Sequence, residues 1–195
     1  ENNIKLRELK KQDLPALENV KEKTWDYDKF ATPKTARKLA KVYLATCLTN
    51  QTYTRIAEVD GVPAGLILGK NIEKHHCPLK YRLRQISALC GLLISKEGRG
   101  ILNFYKNVDK YTAALKTVRQ GLSGEIALFA LSPEYRGLGI GKMLFHSVLA
   151  YMKSQSISDF YLYTDTSCNF GFYEHQGMVR QQQYKHLVHM KGQKG

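Results

Sequence analysis

Three glycines at every second position, Gly137, Gly139 and Gly141, constrain this 195-residue chain more than anything else in it. They lie in the run Ser132-Pro133-Glu134-Tyr135-Arg136-Gly137-Leu138-Gly139-Ile140-Gly141-Lys142-Met143-Leu144. An apolar, strand-like segment, Glu125 to Leu131, precedes the run. After it, Ile140, Leu144, Phe145, Val148, Leu149 and Met152 recur at helical spacing and form one apolar stripe. Such glycines add no packing bulk. Lacking a Cβ, they let backbone N–H groups turn toward one point. A helix opening behind them adds its own unpaired amides and the positive end of its dipole. Strand, glycine loop and helix together make a phosphate cradle.

The residues narrow the phosphate ligand. The dinucleotide fingerprint has glycine at its first, third and sixth places, but Lys142 occupies the sixth place after Gly137. The ATP/GTP loop has a glycine five residues before its Gly-Lys and a Ser or Thr after it; here those places hold Arg136 and Met143. What remains is Arg136-x-x-Gly139-x-Gly141. A second pattern follows. Ser154 and Ser156 interrupt the helix, and Asp159 to Asp165 alternates like a β-strand. Asn169-Phe170-Gly171-Phe172-Tyr173-Glu174-His175-Gln176-Gly177-Met178 then reads as a short helix ending at Gly177.

The loop resembles the acetyl-CoA loop of the GNAT superfamily of N-acetyltransferases. The Asn169…Tyr173…Gly177-Met178 segment resembles that family's other signature, and order and spacing agree over Gly124 to about Arg180. The resemblance implies an α+β fold in α/β/α layers: a mixed, mostly antiparallel, twisted sheet flanked by helices. It implies acetyl-CoA as cosubstrate, held by Leu131, Ser132, Arg136, Gly137, Leu138, Gly139, Ile140, Gly141, Lys142, Asn169 and Phe172. It also implies direct transfer of the acetyl group to a primary amine of a small molecule or peptide.

That chemistry has three requirements. The amine, with a pKa of about 10, must lose a proton; the tetrahedral oxyanion needs a donor; the leaving thiolate benefits from an acid. The resemblance places Tyr173 as the acid, Glu125 as the base and the backbone N–H near Leu131 against the thioester carbonyl. Tyr173 can instead be a core tyrosine bonded to backbone, and Glu125 a strand-end carboxylate facing water, though the motif context favours the acid role for Tyr173. The alternative function is a non-catalytic acyl-CoA-binding module, a sensor or partner-binding domain with the same cradle and no turnover. His75-His76-Cys77 supplies too few convergent ligands for a metal site, and the other histidines are scattered, so no metal is expected. Cys168 has no base placed beside it by the sequence.

The amino-terminal part fits more loosely. Ile4 to Leu9 reads as a strand, and Asp13-Leu14-Pro15 as a helix start with Asp13 as N-cap. Pro33 to Thr49 reads as a helix; Thr54 to Val59 and Ala64 to Leu68 flank a hairpin at Asp60-Gly61. Lys70 to Gly121 is too long for a structureless loop. It reads as a helical insertion, about 72–121, with helices at Leu79–Ile94 and Ile101–Thr117 and with Gly98 and Gly100 between them. The insertion can cap the core through Leu89, Leu92 and Leu93, shape the acceptor mouth, or do both. If Lys80, Arg82, Arg84, Lys106, Lys110, Lys116 and Arg119 line that mouth, repulsion disfavours polycationic acceptors.

One domain spanning 1–195 is the expectation at this length. A hydrophobic content of 43% excludes a disordered chain. No apolar run reaches membrane-spanning length, so no membrane partner is expected. Cys47, Cys77, Cys90 and Cys168 lack disulfide or zinc spacing, and no secretory signal is visible, which points to a cytoplasmic protein, monomer or homodimer. The chain opens on Glu1 without Met, pointing to a native start upstream. The net charge of +13 attracts anions, CoA among them, yet the basic residues are spread out and match no nucleic-acid motif. A nucleic-acid partner is therefore not expected.

Overall fold

The computed structural model describes residues 3–25, 31–102, 121–163 and 170–180. Its elements are β1 (Ile4–Arg7), α1 (Leu14–Trp25), α2 (Pro33–Leu48), β2 (Tyr53–Val59), β3 (Val62–Asn71) and α3 (Leu79–Leu93). They continue with α4 (described over residues 96–102), β4 (Gly124–Leu131), α5 (Ile140–Ser154), β5 (Phe160–Leu162) and α6 (Phe170–His175). The five strands form one sheet in the order β1-β2-β3-β4-β5. Only β4 and β5 run parallel; the other pairings are antiparallel. The fold is the α+β, mixed-sheet arrangement expected.

Alternation along the strands sorts the core onto the two faces of the sheet. On one face Ile56, Leu66, Leu68, Leu128 and Ala130 pack under α1 and α2, against Leu17, Val20, Leu44 and Leu48. On the other, Ala57, Ile67 and Ile126 pack under α5, against Ile140, Leu144, Phe145 and Val148. The apolar stripe of α5 is therefore the stripe read from its sequence. Between β2 and β3, Asp60 and Gly61 sit at φ 50° and 83°, the backbone of a tight hairpin turn matched to strand twist.

The insertion adds an outer layer. It leaves the sheet after Asn71 and returns at Gly124, and its ends are tied by the Ile72 N–H donating to the Ser123 carbonyl (3.0 Å). Leu92 of α3 is fully buried against Ala36, Leu39 and Ala40 of α2. Lys38 Nζ donates to the Gly91 carbonyl (2.7 Å), and Arg84 pairs with Glu18 of α1 (2.7 Å). Of the leucines expected to be capped, Leu92 is buried and Leu89 half-buried, but Leu93 remains 44% exposed. The expected second helix, Ile101–Thr117, lies outside the described residues after residue 102.

Two local readings need correction. Gly98 and Gly100 do not separate the helices. The break falls at Ile94-Ser95, and both glycines lie inside α4. Ser95 Oγ accepts the Gly98 N–H (3.0 Å), an N-cap bond. A Cβ on Gly98 would stand 2.1 Å from the Leu92 carbonyl, so close approach of α4 to the end of α3 requires the glycine. Asp13, in turn, is not the N-cap of α1. It ends a 3₁₀ turn, Lys11–Asp13, and turns its carboxylate back onto the Lys10 N–H (2.7 Å) and the Arg7 guanidinium (2.8 and 2.9 Å). The Arg7 bonds hold the Asp13 carboxyl below the usual carboxylate range. The carboxylate thus caps the turn from its third position, through the Lys10 N–H, while the Arg7 guanidinium holds both of its oxygens.

α2 starts without an acid in its first turn. Glu97 of α4 supplies one from outside. Its carboxylate accepts from the Thr32 N–H (2.9 Å) and hydroxyl (2.8 Å) and from the Thr35 hydroxyl (2.5 Å). These bonds, the Thr35 hydroxyl first, hold the Glu97 carboxyl below its ordinary value. The cap is therefore in place at neutral pH and is lost as acid protonates it.

The end of α5 carries strain that a substitution can remove. Ser156 sits at φ 57° while its N–H and that of Ile157 close the helix onto Lys153 and Met152 (both 3.0 Å). A left-handed residue other than glycine costs about 1–2 kcal/mol, offset partly by glycine's greater freedom when unfolded. Ser156→Gly is expected to stabilise the protein by about 0.5–1 kcal/mol, a rise of about 1–4 °C in melting temperature by calorimetry. A lower melting temperature would show that this helix end is not strained.

Candidate active site

The site is assembled around β4. At its start, the ladder with β5 runs Gly124↔Phe160, Glu125↔Tyr161 and Ile126↔Leu162, and stops. β4 continues to Leu131 beside β3. Among the described residues, Ala127 to Leu131 thus face no β5 partner, and a gap opens beyond Ile126. The Ser132 N–H donates to the Ala64 carbonyl (2.8 Å), which marks Gly65–Leu131 as a pair not itself hydrogen-bonded. The Leu131 N–H therefore points away from β3, toward the gap.

β4 then feeds the glycine loop. Ser132 is buried, and a 3₁₀ turn at Pro133–Tyr135 leads to Arg136 in extended conformation. Gly137 and Gly139 sit at φ 83° and 76°, and a Cβ on either would meet nothing within 4 Å. The loop is thus left-handed at two places and open toward solvent. The first N–H with a helical acceptor is that of Met143, on the Gly139 carbonyl (3.1 Å). Those of Ile140, Gly141 and Lys142 find none among the described residues. Open space, convergent amides and the dipole of a fifteen-residue helix fit a pyrophosphate. Arg136 and Lys142 are exposed beside them and form no ion pair among the described residues.

Glu125 lies where the gap begins, 8% exposed, on the α1–α2 face. The register explains its neighbours. Lys70 of β3 and Tyr161 of β5 are its cross-strand partners, so three polar side chains stand in a row. The Tyr161 hydroxyl donates to Glu125 Oε2 (3.1 Å), Asn50 Nδ2 approaches the same oxygen (3.4 Å) and Lys70 Nζ lies 3.8 Å away. Lys70 Nζ also donates to Asn50 Oδ1 (2.6 Å). The carboxylate is thus buried and solvated by protein groups rather than facing bulk water. Asn50, Lys70 and Tyr161 were not singled out from the sequence; a charged residue in each of two apolar strands was the available signal.

Tyr173 stands on the opposite face. Its ring packs with Phe129 of β4 (6.2 Å between centroids), Phe145 of α5 (6.3 Å) and Phe172 (5.5 Å). Phe172 reaches the glycine loop, 3.7 Å from where a Cβ on Gly141 would lie. α6 is closed behind Tyr173 by Gly177 at φ 85°. The Gly177 N–H donates to Glu174 (3.0 Å) and the Met178 N–H to Tyr173 (3.1 Å). This is the paired bonding of a Schellman cap, with Met178 beside Tyr173 in the apolar cluster. The structure therefore brings Leu131, the loop, Phe172 and Tyr173 to one region and sets Glu125 on the other face of β4. Asn169 and Cys168 lie outside the described residues.

Three other reactive side chains, Cys47, His75 and His175, are buried or bonded. Burial pushes the Cys47 thiol up to about 12, so it stays protonated at neutral pH. His75 lies against the Thr49 carbonyl (2.8 Å), and His175 Nδ1 against that of Gly171 (2.7 Å). Among the described residues no group of three or more His, Cys, Asp and Glu could hold a metal ion. Among the same residues no helix is long and apolar enough to cross a membrane.

Comparison with known proteins bears on the family and the fold. The family model of the acetyltransferase (GNAT) family matches residues 16–178. A Bacillus subtilis (strain 168) protein that bears an acetyltransferase name is 29% identical over 106 residues, 54% of this chain and 67% of its own. A Pyrococcus horikoshii OT3 crystal structure superposes with a TM-score of 0.61 at 16% identity, covering 94% of this chain and 93% of that one. A GNAT family acetyltransferase from Brucella melitensis, solved with acetyl-CoA, gives 0.50 at 16% identity over 92% of this chain and 85% of its own.

The α6 cap yields a test of what positions Tyr173. Gly177→Ala places a Cβ at left-handed φ at a cost of about 1 kcal/mol. The Met178 amide is expected to exchange about fivefold faster by hydrogen exchange, while the Leu144 amide in α5 is unmoved. Unchanged exchange at Met178 would show that the cap does not set α6.

Proposed function

The chain belongs to the acetyltransferase (GNAT) family, and on that premise we propose that it transfers acetyl groups from acetyl-CoA directly to a primary amine of a small molecule or peptide. The observation that carries this reading is the convergence on β4. The strand leaves β5 at a buried carboxylate, turns the Leu131 N–H toward the opening, and runs into the amide cradle. A pure anion site has no use for the first two features.

The amides of Gly137 to Lys142 hold the pyrophosphate, with Arg136 and Lys142 as flanking cations; Leu131, Ser132, Phe172 and Asn169 complete the cofactor side. Bound there, acetyl-CoA supplies an activated acetyl thioester. The Leu131 N–H, facing the gap, is the donor toward charge developing on the carbonyl oxygen. Glu125 takes the proton from the acceptor amine, directly or through water. It works from the α1–α2 face, with Lys70, Asn50 and Tyr161 fixing its rotamer. Tyr173, held by the aromatic cluster on the other face, donates to the leaving sulfur. The amine and the thioester thus approach the gap from opposite faces, and no covalent acyl-enzyme is required. The decisive experiment is CoASH release with a panel of amines, amino acids, polyamines, aminoglycosides and peptides. Binding of acetyl-CoA with no release across that panel would favour the non-catalytic binding module.

Two sets of variants separate the roles. A Cβ at Gly139 would meet no atom within 4 Å, so Gly139→Asp acts by straining a residue at φ 76° and by bringing a negative charge to the pyrophosphate. It is expected to weaken CoA binding by calorimetry about tenfold or more, a loss of about 1.4 kcal/mol. Unchanged affinity would remove the loop from the cofactor site. Tyr173→Phe and Glu125→Gln are each expected to lower kcat by about 10²–10⁴ with little change in acetyl-CoA affinity. Should kcat survive both substitutions with chemistry rate-limiting, the acid and base assignments fall.

A further inference from the structure

Away from β4 the described residues form a second electropositive concavity. A groove of about 590 Å³ lies between the chain entering α1 and the first half of α3, and α2 closes one side. That volume lies inside the range of about 300–1,000 Å³ typical of ligand clefts. Lys10, Lys11, Lys41, Lys80 and Arg84 line it. Arg84 is engaged by Glu18 at 2.7 Å. The four lysines are exposed and form no ion pair among the described residues. Asp13 is taken mainly by Arg7, through two bonds of 2.8 and 2.9 Å, and only its charge reaches the Lys10 ammonium. Four ammonium groups without an ion-pair partner among the described residues, around one concavity with low-dielectric walls, focus a field that favours a polyanion.

The floor selects among polyanions. Leu14 is buried, Leu9 and Tyr81 pack partly into the core beneath, and Leu83 is 57% exposed at the lip. Single-stranded nucleic acid needs open aromatic faces on which to stack. Tyr81 offers no such platform, because Lys80 Nζ sits over its ring, 4.9 Å from the centroid. Exposed leucine gives a phosphate backbone nothing, but it receives an apolar side chain. We propose that this groove binds an acidic peptide segment of a protein partner, its carboxylates over Lys10, Lys11, Lys41 and Lys80 and an apolar side chain against Leu9 and Leu83. The site is separate from the cradle and does not depend on acetyl transfer.

The test is fluorescence anisotropy with a labelled short peptide of Asp and Glu carrying two leucines, alongside a thymidine oligonucleotide of equal length. The variants are Lys10→Glu with Lys41→Glu in the groove, and Lys5→Glu with Lys153→Glu as a control. The control residues are exposed, lie outside the groove and lose the same charge. Circular dichroism melts confirm that both fold. At an ionic strength of about 0.01 M the groove variant is expected to weaken peptide binding about tenfold or more, and the control less than about twofold. Replacing the peptide leucines by serine should weaken it further, and added CoA should not compete. Equal weakening by both variants would reduce the effect to net charge. Oligonucleotide binding as tight as peptide binding would make the face a nucleic-acid surface. Competition by CoA would assign the binding to the loop. Each of those results, or absence of peptide binding, overturns the proposal.

Discussion

Among the described residues the ladder between β4 and β5 runs for three residue pairs, and the rest of the site is arranged around the stretch of β4 beyond it. Parallel strands carry slanted bonds and need helical crossovers, here α5, so β5 is held in place by α5 above it as much as by β4 beside it. Met152 in the last turn of α5 and Ile157 of the α5–β5 connection share the apolar cluster with Phe160 and Leu162. Among the described residues the Leu131 N–H faces away from β3 with no strand partner, at the strand's carboxyl end, where the glycine loop also begins. In open sheets this end of a parallel strand is the general place for a ligand.

The faces of β4 divide the labour. From Glu125 to Leu131 every residue but Ala127 pairs with β3, so the strand is held along one side although, among the described residues, its other edge has no partner beyond Ile126. Its α1–α2 face carries Glu125 among Asn50, Lys70 and Tyr161; its α5 face carries Phe129, on which Phe172 and Tyr173 pack. A register shift at Leu68/Gly69 sits between Glu125 and Leu128 on β4. Such a bulge increases local twist and re-aims the side chains beyond it, and it falls just where the gap opens.

Elements whose cause is local were legible in the sequence. The glycine loop, the α5 stripe, the Asp60-Gly61 turn and the Gly177 stop each depend on neighbours within a few residues, and the chain states them directly. What was illegible came from long-range partners. Gly98 reads as a break, yet it is glycine because the Leu92 carbonyl stands 2.1 Å from its missing Cβ. Asp13 reads as an N-cap, yet Arg7 on β1 takes its carboxylate. Glu97 and the first turn of α2 lie more than sixty residues apart in sequence. The polar row at Glu125 required the strand register, which alternation alone does not supply.

The insertion shows how such long-range partners add up. A 3.0 Å bond ties its ends, so within the sheet it replaces only a short connection, and loop-closure entropy grows slowly with the excursion's length. What holds α3 and α4 is therefore their contact with α2: one fully buried leucine, the Lys38–Gly91 bond and the Glu97 cap. The Glu97 cap occupies the first turn of α2, Leu92 and the Lys38 bond the next, and Gln85 Nε2 reaches the Thr46 hydroxyl near its end (3.2 Å). Since α2 runs on through Thr49 to Asn50, the residue that shares Lys70 with Glu125, the outer layer braces the helix that delivers a polar partner to the carboxylate. The described part of the insertion is thus linked to the Glu125 carboxylate mechanically, through α2 and Asn50.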